Sequence, residues 1–374
     1  MKSLMEENKK WFDEVWKKLD KKLAAVAKRS FDKIPYTAVD GVHDDKSKEH
    51  ISWWTNGFWP GLMWIMYDGT KRDVYKDTAI NAEKILDGAL EEYNGLHHDV
   101  GFMWHISSGL HYRLLGDKQS RVRTLYAANV LAGRYNIDGK FITAWNGQSQ
   151  QGWTIIDSMM NIPLLYWASR EIGDARFERI AKAQADMAMR DHVRPDGSVV
   201  HIVSHDTQTG DVIETFGGQG YEVGSSWSRG QAWAVYGFAL SYLHTGDEKY
   251  LDTAKKVANY FIAACCDDYL PKCDFRSPEE PVIYDSTAGA ITACGLIELS
   301  KHVGVHEKGM YLNAAVKMLK AMEEKFCNWE ENVDYIVGYG TERYGSGEHM
   351  PIIYGDFYFA EAIYMLRGGE IKIW

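Results

Sequence analysis

The sequence predicts an all-α fold: a ring of six helical hairpins, or (α/α)6 barrel, with a small β-hairpin at the rim of its mouth. Three observations carry this prediction. Most of the chain is apolar with a period of 3.6 residues. A short Gly and Asp punctuation recurs between helices. Clusters of aromatic and acidic residues recur before one helix of each pair.

Helical segments are expected at 3–28, 57–68, 73–94, 103–115, 119–135, 153–171, 175–191, 228–244, 248–265, 285–302, 307–327 and 355–367. The first is charged and amphipathic, has no partner before it, and is expected to pair with the last, which closes the ring. The punctuation reads Tyr67-Asp68-Gly69-Thr70, Leu115-Gly116-Asp117, Ile172-Gly173-Asp174, Thr245-Gly246-Asp247 and Val303-Gly304-Val305. Gly suits the position that ends a helix, and Asp suits the N-cap of the next. Such self-similarity marks stacked supersecondary units. A linear solenoid is the rival arrangement. Closure is favoured because Trp53–Trp59, His97–Trp104, Trp145–Asp157, Gln219–Trp233, Tyr284–Thr287 and Tyr344–Asp356 each precede one helix of a pair. In a ring those segments converge on one mouth. Residues 194–228 are not helical, and alternation at 198–203 and 211–215 predicts the hairpin.

At 374 residues the chain suffices for a large core, read as a single catalytic domain over 1–374. Its net charge of −10 argues against nucleic acid and against an anionic membrane surface as partners. The five cysteines form no C-x-x-C pair and read as reduced thiols of an intracellular, cytoplasmic protein. No apolar signal core and no run of transmembrane length is present. A monomer or homodimer is expected.

Chemistry concentrates in two acids. Asp99 lies in His97-His98-Asp99-Val100-Gly101, and Asp157 lies in Trp153-Thr154-Ile155-Ile156-Asp157-Ser158. A carboxyl among tryptophans and apolar residues loses hydration, so its pKa rises. A protonated carboxylic acid near neutral pH suits acid catalysis on a sugar, and aromatic faces suit sugar rings. His98, Trp145 and Trp54 flank these acids as candidate substrate contacts, although the Trp53–Trp59 cluster also reads as buried packing. Arg229, between Trp227 and Trp233 at the start of a helix, is expected to hold a carboxylate by a two-point fork. Gln219 lies in a Gly-rich loop where an amide meets a polar ligand. His201 and His205 sit in the expected hairpin, about 13 Å apart on one face, so His201 reads as a hydrogen-bond donor. No Cys, His, Asp or Glu set has metal-ligand spacing, and no phosphate loop is present. Neither metal nor cofactor is expected.

The strings W-T-N-G-F-W-P-G at 54–61, H-D-V-G-F at 98–102, I-I-D-S-M-M-N at 155–161, W-S-R-G-Q-A-W at 227–233 and Y-G-D-F-Y-F-A-E-A at 354–362 together resemble the unsaturated glucuronyl hydrolases, glycoside hydrolase family 88. The resemblance spans roughly residues 10–367. It implies an (α/α)6 barrel that removes a 4,5-unsaturated uronic acid from the non-reducing end of lyase-generated oligosaccharides, such as glycosaminoglycan disaccharides. It implies Asp157 as general acid and base, and Asp99 as a second essential acid contacting ring hydroxyls. It places Trp54, His201, Gln219, Arg229 and Trp233 around the unsaturated sugar. Some members favouring sulfated substrates carry S-x-x-S-x-K before the Y-G-D motif; here Arg343-Tyr344-Gly345-Ser346-Gly347-Glu348 lacks the Lys and the paired serines. Other readings remain: an unsaturated rhamnogalacturonyl hydrolase, a sugar epimerase of the same architecture, which would need facing basic residues, and a carbohydrate-binding toroid without catalysis.

Overall fold

The computed structural model describes residues 4–374, so residues 1–3, where the first expected helix begins, lie outside the described residues. It is mostly helical, with a few small strands. Twelve helices of eight or more residues follow one another among the described residues: α1 (Leu4–Arg29), α2 (Phe58–Thr70), α3 (Asp73–Glu92), α4 (Ser108–Leu115), α5 (Lys118–Gly133), α6 (Pro163–Ile172), α7 (Ala175–Asp191), α8 (Ser228–Thr245), α9 (Glu248–Ala264), α10 (Ser286–Leu299), α11 (Val305–Lys325) and α12 (Ile353–Leu366). None is long and apolar enough to cross a membrane.

The helices divide by burial. In α10 every residue is buried, and α8 and α12 are buried over most of their length. By contrast α1, α7, α9 and α11 bury one face and leave charged residues on the other. A helix apolar all round requires neighbours on every side. Accordingly α8 packs on α10, α10 on α12, and α12 on α2, while α2 touches α4 and α6 touches α8. Each of these helices also packs against the amphipathic helix that follows it: α2 with α3, α4 with α5, α6 with α7, α8 with α9, α10 with α11. α1 lies against α12 and α3.

The expected punctuation appears at three junctions. Gly116, Gly173 and Gly246 end α4, α6 and α8 in the left-handed conformation. The carboxylates of Asp117, Asp174 and Asp247 then accept N–H bonds from Ser120, Arg176 and Lys249 at the start of α5, α7 and α9. The first and last junctions differ. Gly69 lies inside α2, which Lys71 terminates with φ 59°. Gly304 is the N-cap of α11 and has a negative φ.

The segment expected as one helix over 153–171 is in three parts. Trp153–Ile155 is a strand, β1; Ser158–Asn161 is a single helical turn; α6 starts at Pro163, whose missing N–H suits the first helical position. β1 pairs antiparallel with β2 (Ile202–His205), which pairs with β3 (Val212–Phe216). The expected hairpin therefore exists with shifted boundaries and a third strand. Alternation over so few residues does not separate a short strand from the first turn of a helix. Likewise the helix expected over 103–115 is not one continuous α-helix. Gly101–His105 is a π-helical stretch, and α4 follows.

Gly101 is where two of these segments cross. A Cβ there would lie 2.6 Å from Asn161 Oδ1 and 2.7 Å from its Cα. Overpacking of this kind costs about 1–3 kcal/mol. Gly101→Ala is expected to lower the melting temperature and the activity together, because Asn161 also holds Asp99. A variant that melts and turns over like wild type would show that the crossing is loose.

Candidate active site

Asp157 occupies the corner where β1 ends and the helical turn Ser158–Asn161 begins. Asp99 lies two residues before the π-helical stretch. Asn161 ties them together: its Nδ2 donates to Asp99 Oδ1 at 2.9 Å and to the Asp157 carbonyl at 3.2 Å. Its Oδ1 accepts the Phe102 N–H at 2.9 Å, which fixes the amide orientation. Both acids face one cavity of about 440 Å³, whose wall also includes Trp54, His98, Trp145, His201 and Gln219. The chain thus brings five of the seven expected contact residues together with both acids.

Beneath the cavity lies an aromatic floor. Trp54 packs on Tyr354 with centroids 5.2 Å apart, Phe102 on Trp233 at 5.1 Å, and Trp233 on Tyr358 at 5.6 Å. Trp233 is fully buried in this floor rather than on the cavity wall. Of the tryptophan cluster, Trp59 is fully buried and belongs to the core, whereas Trp53 and Trp54 line the cavity.

The two acids are driven apart electrically. Burial pushes the Asp157 carboxyl up to about 7, and the negative charge of Asp99 adds to the effect. Burial opposes ionisation of Asp99 too. There the charge of His98, its hydrogen bonding and that of Asn161 outweigh burial and hold the carboxyl below its ordinary value. His98 Nε2 lies 3.3 Å from Asp99 Oδ2. The result is one acid poised to carry a proton and one held as the anion.

His201 faces Asp157, with Nε2 3.7 Å from Oδ1. Its Nδ1 accepts the Gln219 N–H at 3.0 Å, so in the neutral ring the proton resides on Nε2, toward the acid. Burial, then the charge of Arg229, lower its pKa to about 3. His201 is therefore a neutral donor. Gly218 makes this approach possible, since its φ is +62° and a Cβ would strike the imidazole. His205 does not share the face of His201. A bulge between Ser204 and His205 shifts the register, and His205 pairs with Asp191 at 3.0 Å away from the cavity.

Arg229 departs from expectation. It is 1% exposed. Its Nη1 lies 2.5 Å from Asp285 Oδ2 and donates to the Thr341 carbonyl at 2.6 Å; its Nη2 donates to the Glu342 carbonyl at 2.8 Å. Part of the fork expected to hold a ligand is thus taken up by the protein. The expectation that no residues have metal-ligand spacing also needs correction. His97, His98 and Asp99 hold three donor atoms within 4.8 Å of one another. Adjacent residues in a turn converge in a way that spacing rules for helices miss.

Several wall residues had no sequence signal. Tyr36 comes from the irregular segment after α1, and its hydroxyl donates to Glu342 Oε1 at 2.9 Å. His50, Glu342 and Tyr354 also line the cavity, as do Arg343 and Ser346. Of these, Tyr36, His50 and Glu342 lay outside every cluster or motif read from the sequence, whereas Arg343, Ser346 and Tyr354 fall in the segments read at 343–348 and 344–356.

The raised pKa of Asp157 has a stability consequence. Its folded value lies above that of an unfolded carboxyl, so its contribution to stability is full below about 3.8 and is lost as pH rises through about 7. Asp157→Asn removes that loss. The variant is expected to melt above wild type at pH 8 and close to it at pH 4, measured by calorimetry. An equal offset at both pH values would show that Asp157 is not buried as a neutral acid.

No family model matches the chain. Individual proteins do. The chain is 33% identical to the unsaturated glucuronyl hydrolase of Bacillus sp. (strain GL1) over 93% of its length and 94% of that protein. It is 34% identical to the unsaturated chondroitin disaccharide hydrolase of Streptococcus pneumoniae over 83% of its length and 81% of that protein. The crystal structure of the Bacillus sp. GL1 enzyme, described as responsible for the degradation of glycosaminoglycan, superimposes with a TM-score of 0.89, covering 95% of this chain and 97% of that one at 31% identity. A paired-acid cavity over an aromatic floor, in a chain this similar along nearly its whole length, places the protein in the unsaturated glucuronyl hydrolase family.

Proposed function

We propose that this protein removes a 4,5-unsaturated uronic acid from the non-reducing end of oligosaccharides left by polysaccharide lyases, with glycosaminoglycan disaccharides as the substrate class. The observation that carries the reading is a buried carboxyl with a pKa of about 7 on the cavity wall, beside a second acid held ionised. The kinship with an unsaturated glucuronyl hydrolase and with an enzyme named for an unsaturated chondroitin disaccharide supports it. In this reading α2, α4, α6, α8, α10 and α12 form the inner wall of a six-hairpin toroid, and the segments entering them build its mouth.

The substrate is a vinyl ether, so the reaction needs a proton on carbon rather than displacement at the anomeric centre. Protonated Asp157 delivers its proton to C4. Positive charge develops at C5 and is shared with the ring oxygen. Water then adds at C5 while the Asp157 carboxylate takes the water's proton, which restores the acid. The hemiketal so formed opens and releases the following sugar. Asp99 accepts hydrogen bonds from ring hydroxyls, and His201 Nε2–H steadies Asp157 as its charge appears. Trp54 and Trp145 pack on the sugar faces. Trp233 and Arg229 act from behind the wall.

Asp157→Asn is expected to lower kcat by ~10²–10⁴-fold, as removal of a general acid does, with folding intact. The assay is loss of ultraviolet absorbance of the conjugated uronate over a panel of lyase products. Retention of more than about a tenth of wild-type kcat would reject Asp157 as the proton donor.

Because Asp157 must be protonated, wild-type kcat/KM should fall as pH rises through about 7. The negative charge of Asp99 helps raise that pKa, so Asp99→Asn should move the falling limb to lower pH as well as reduce the rate. A profile that is scaled down without moving would confine Asp99 to holding the ring.

A further inference from the structure

The mechanism proposed above draws on no metal, yet three consecutive side chains on the cavity wall carry donor atoms that suit one. They are His97 Nδ1, His98 Nε2 and Asp99 Oδ2, all within 4.8 Å of one another. No other group of three or more His, Cys, Asp or Glu among the described residues converges in this way.

The separations decide what these contacts are good for. His97 Nδ1 and His98 Nε2 lie 3.4 and 3.3 Å from Asp99 Oδ2. Both are long for an N–H···O bond, which usually spans ~2.7–3.2 Å. Both match the edge of a tetrahedron around Zn²⁺, because bonds of ~2.0–2.1 Å to nitrogen and oxygen put neighbouring ligand atoms ~3.3–3.4 Å apart. A small rotation of the His97 ring closes the third edge. Competition for the donors is weak. The Asp99 N–H points at His97 Nδ1 from 3.4 Å, so this nitrogen offers a lone pair that no close hydrogen bond holds. His98 Nδ1 has no partner and takes the ring proton when Nε2 binds a metal.

The surroundings hold the donors in place, as the outer partners of a metal site must. Asn161 Nδ2 donates to Asp99 Oδ1 at 2.9 Å, which leaves Oδ2 facing the imidazoles. His98 is 1% exposed, and its backbone N–H is fixed on the Ala144 carbonyl at 3.2 Å. The cavity supplies an entry path and room for water as a fourth ligand. Two imidazoles and a carboxylate with one open position are a known zinc set, and imidazole nitrogen favours Zn²⁺ over Mg²⁺ or Ca²⁺. A net charge of −10 draws cations toward the protein.

We propose that His97, His98 and Asp99 form an inhibitory Zn²⁺ site. The ion takes Asp99 Oδ2 from the ring hydroxyls, so Zn²⁺ and substrate exclude one another. That exclusion rests on the function proposed above; binding of the ion does not.

The test titrates the full chain with Zn²⁺, and with Co²⁺ as its spectroscopic stand-in. One ion per chain should bind. Bound Co²⁺ should show the visible absorption of a four-coordinate site and no thiolate charge-transfer band. Zn²⁺ should inhibit turnover of an unsaturated disaccharide by raising KM while sparing kcat, and a chelator should reverse it. His97→Gln should weaken Co²⁺ binding and Zn²⁺ inhibition by more than ~10-fold, the smaller loss typical when only an outer partner is removed. Asp99→Asn, followed through Co²⁺ binding alone, should weaken it as well, which keeps the test open if either variant melts early. Exposed Cys266 is a rival metal ligand, and Cys266→Ser should change none of these readings.

Co²⁺ bound as tightly by the folded variants as by wild type would overturn the inference. So would a thiolate band, Zn²⁺ inhibition that disappears in Cys266→Ser, or inhibition that substrate does not relieve. Failure of metal-free wild type to consume any lyase product would overturn the proposed function instead, and the Co²⁺ titrations would still decide the metal site.

Discussion

Burial of the Asp157 carboxyl without an uncompensated cation beside it is the constraint around which the site is arranged. A carboxyl in a dry, aromatic setting ionises only with difficulty. One free guanidinium at contact distance would reverse that and leave the carboxyl ionised. The fold places Arg229 nearby, yet gives it Asp285 as counter-ion within a hydrogen bond. His201 is kept neutral, offering a proton rather than a charge. Among the charges acting on Asp157 the negative one of Asp99 is the largest and raises its pKa, against smaller opposing effects of His98 and Arg229. Loss of one partner from a buried ion pair such as Arg229–Asp285 typically costs about 3–5 kcal/mol. Arg229 therefore serves stability through Asp285 and holds the Thr341 and Glu342 carbonyls through its other N–H groups.

Raised pKa values alone do not mark the site. Burial pushes Asp356 up to about 7 and Glu361 up to about 8, levels like that of Asp157. Their surroundings differ. Asp356 accepts backbone N–H groups from Ile336 and Val337, and so anchors that segment to α12. Glu361 accepts the Tyr236 hydroxyl at 2.6 Å and Trp374 Nε1 at 3.0 Å. Asp356 is a satisfied acid sealed in the core, whereas Glu361 keeps Oε2 without a partner and borders a separate cavity beside Trp374. Asp157 Oδ1 has no hydrogen-bond partner among the described residues and opens on the cavity. What sets Asp157 apart from both is its company: a second acid, Asp99, on the same cavity wall and His201 facing it at 3.7 Å.

The crossing at Gly101 and Asn161 joins fold to function. Asp99 and Asp157 come from segments far apart in sequence, and neither is rigid alone. Asn161 spends its amide on Asp99, on the Asp157 carbonyl and on the Phe102 N–H. A small residue at 101 lets it approach closely enough to do so.

The sequence by itself determined the helical pattern, three of the Gly and Asp junctions and the two acids, because each rests on local chemistry: a 3.6-residue period, a left-handed glycine, a side-chain cap, a carboxyl among tryptophans. It misread Trp153–Ile155 as helix, since three residues form a strand only when β2 supplies the partner. It expected Trp233 and Arg229 at the ligand without foreseeing that packing buries both and pairs the second with Asp285, fifty-six residues further along. It had no means to bring Tyr36, Glu342 and Arg343 to the same wall, because they lie at opposite ends of the chain and meet only when the first and last helices pack together. Local chemistry fixes what a residue offers; long-range packing decides which partner takes it.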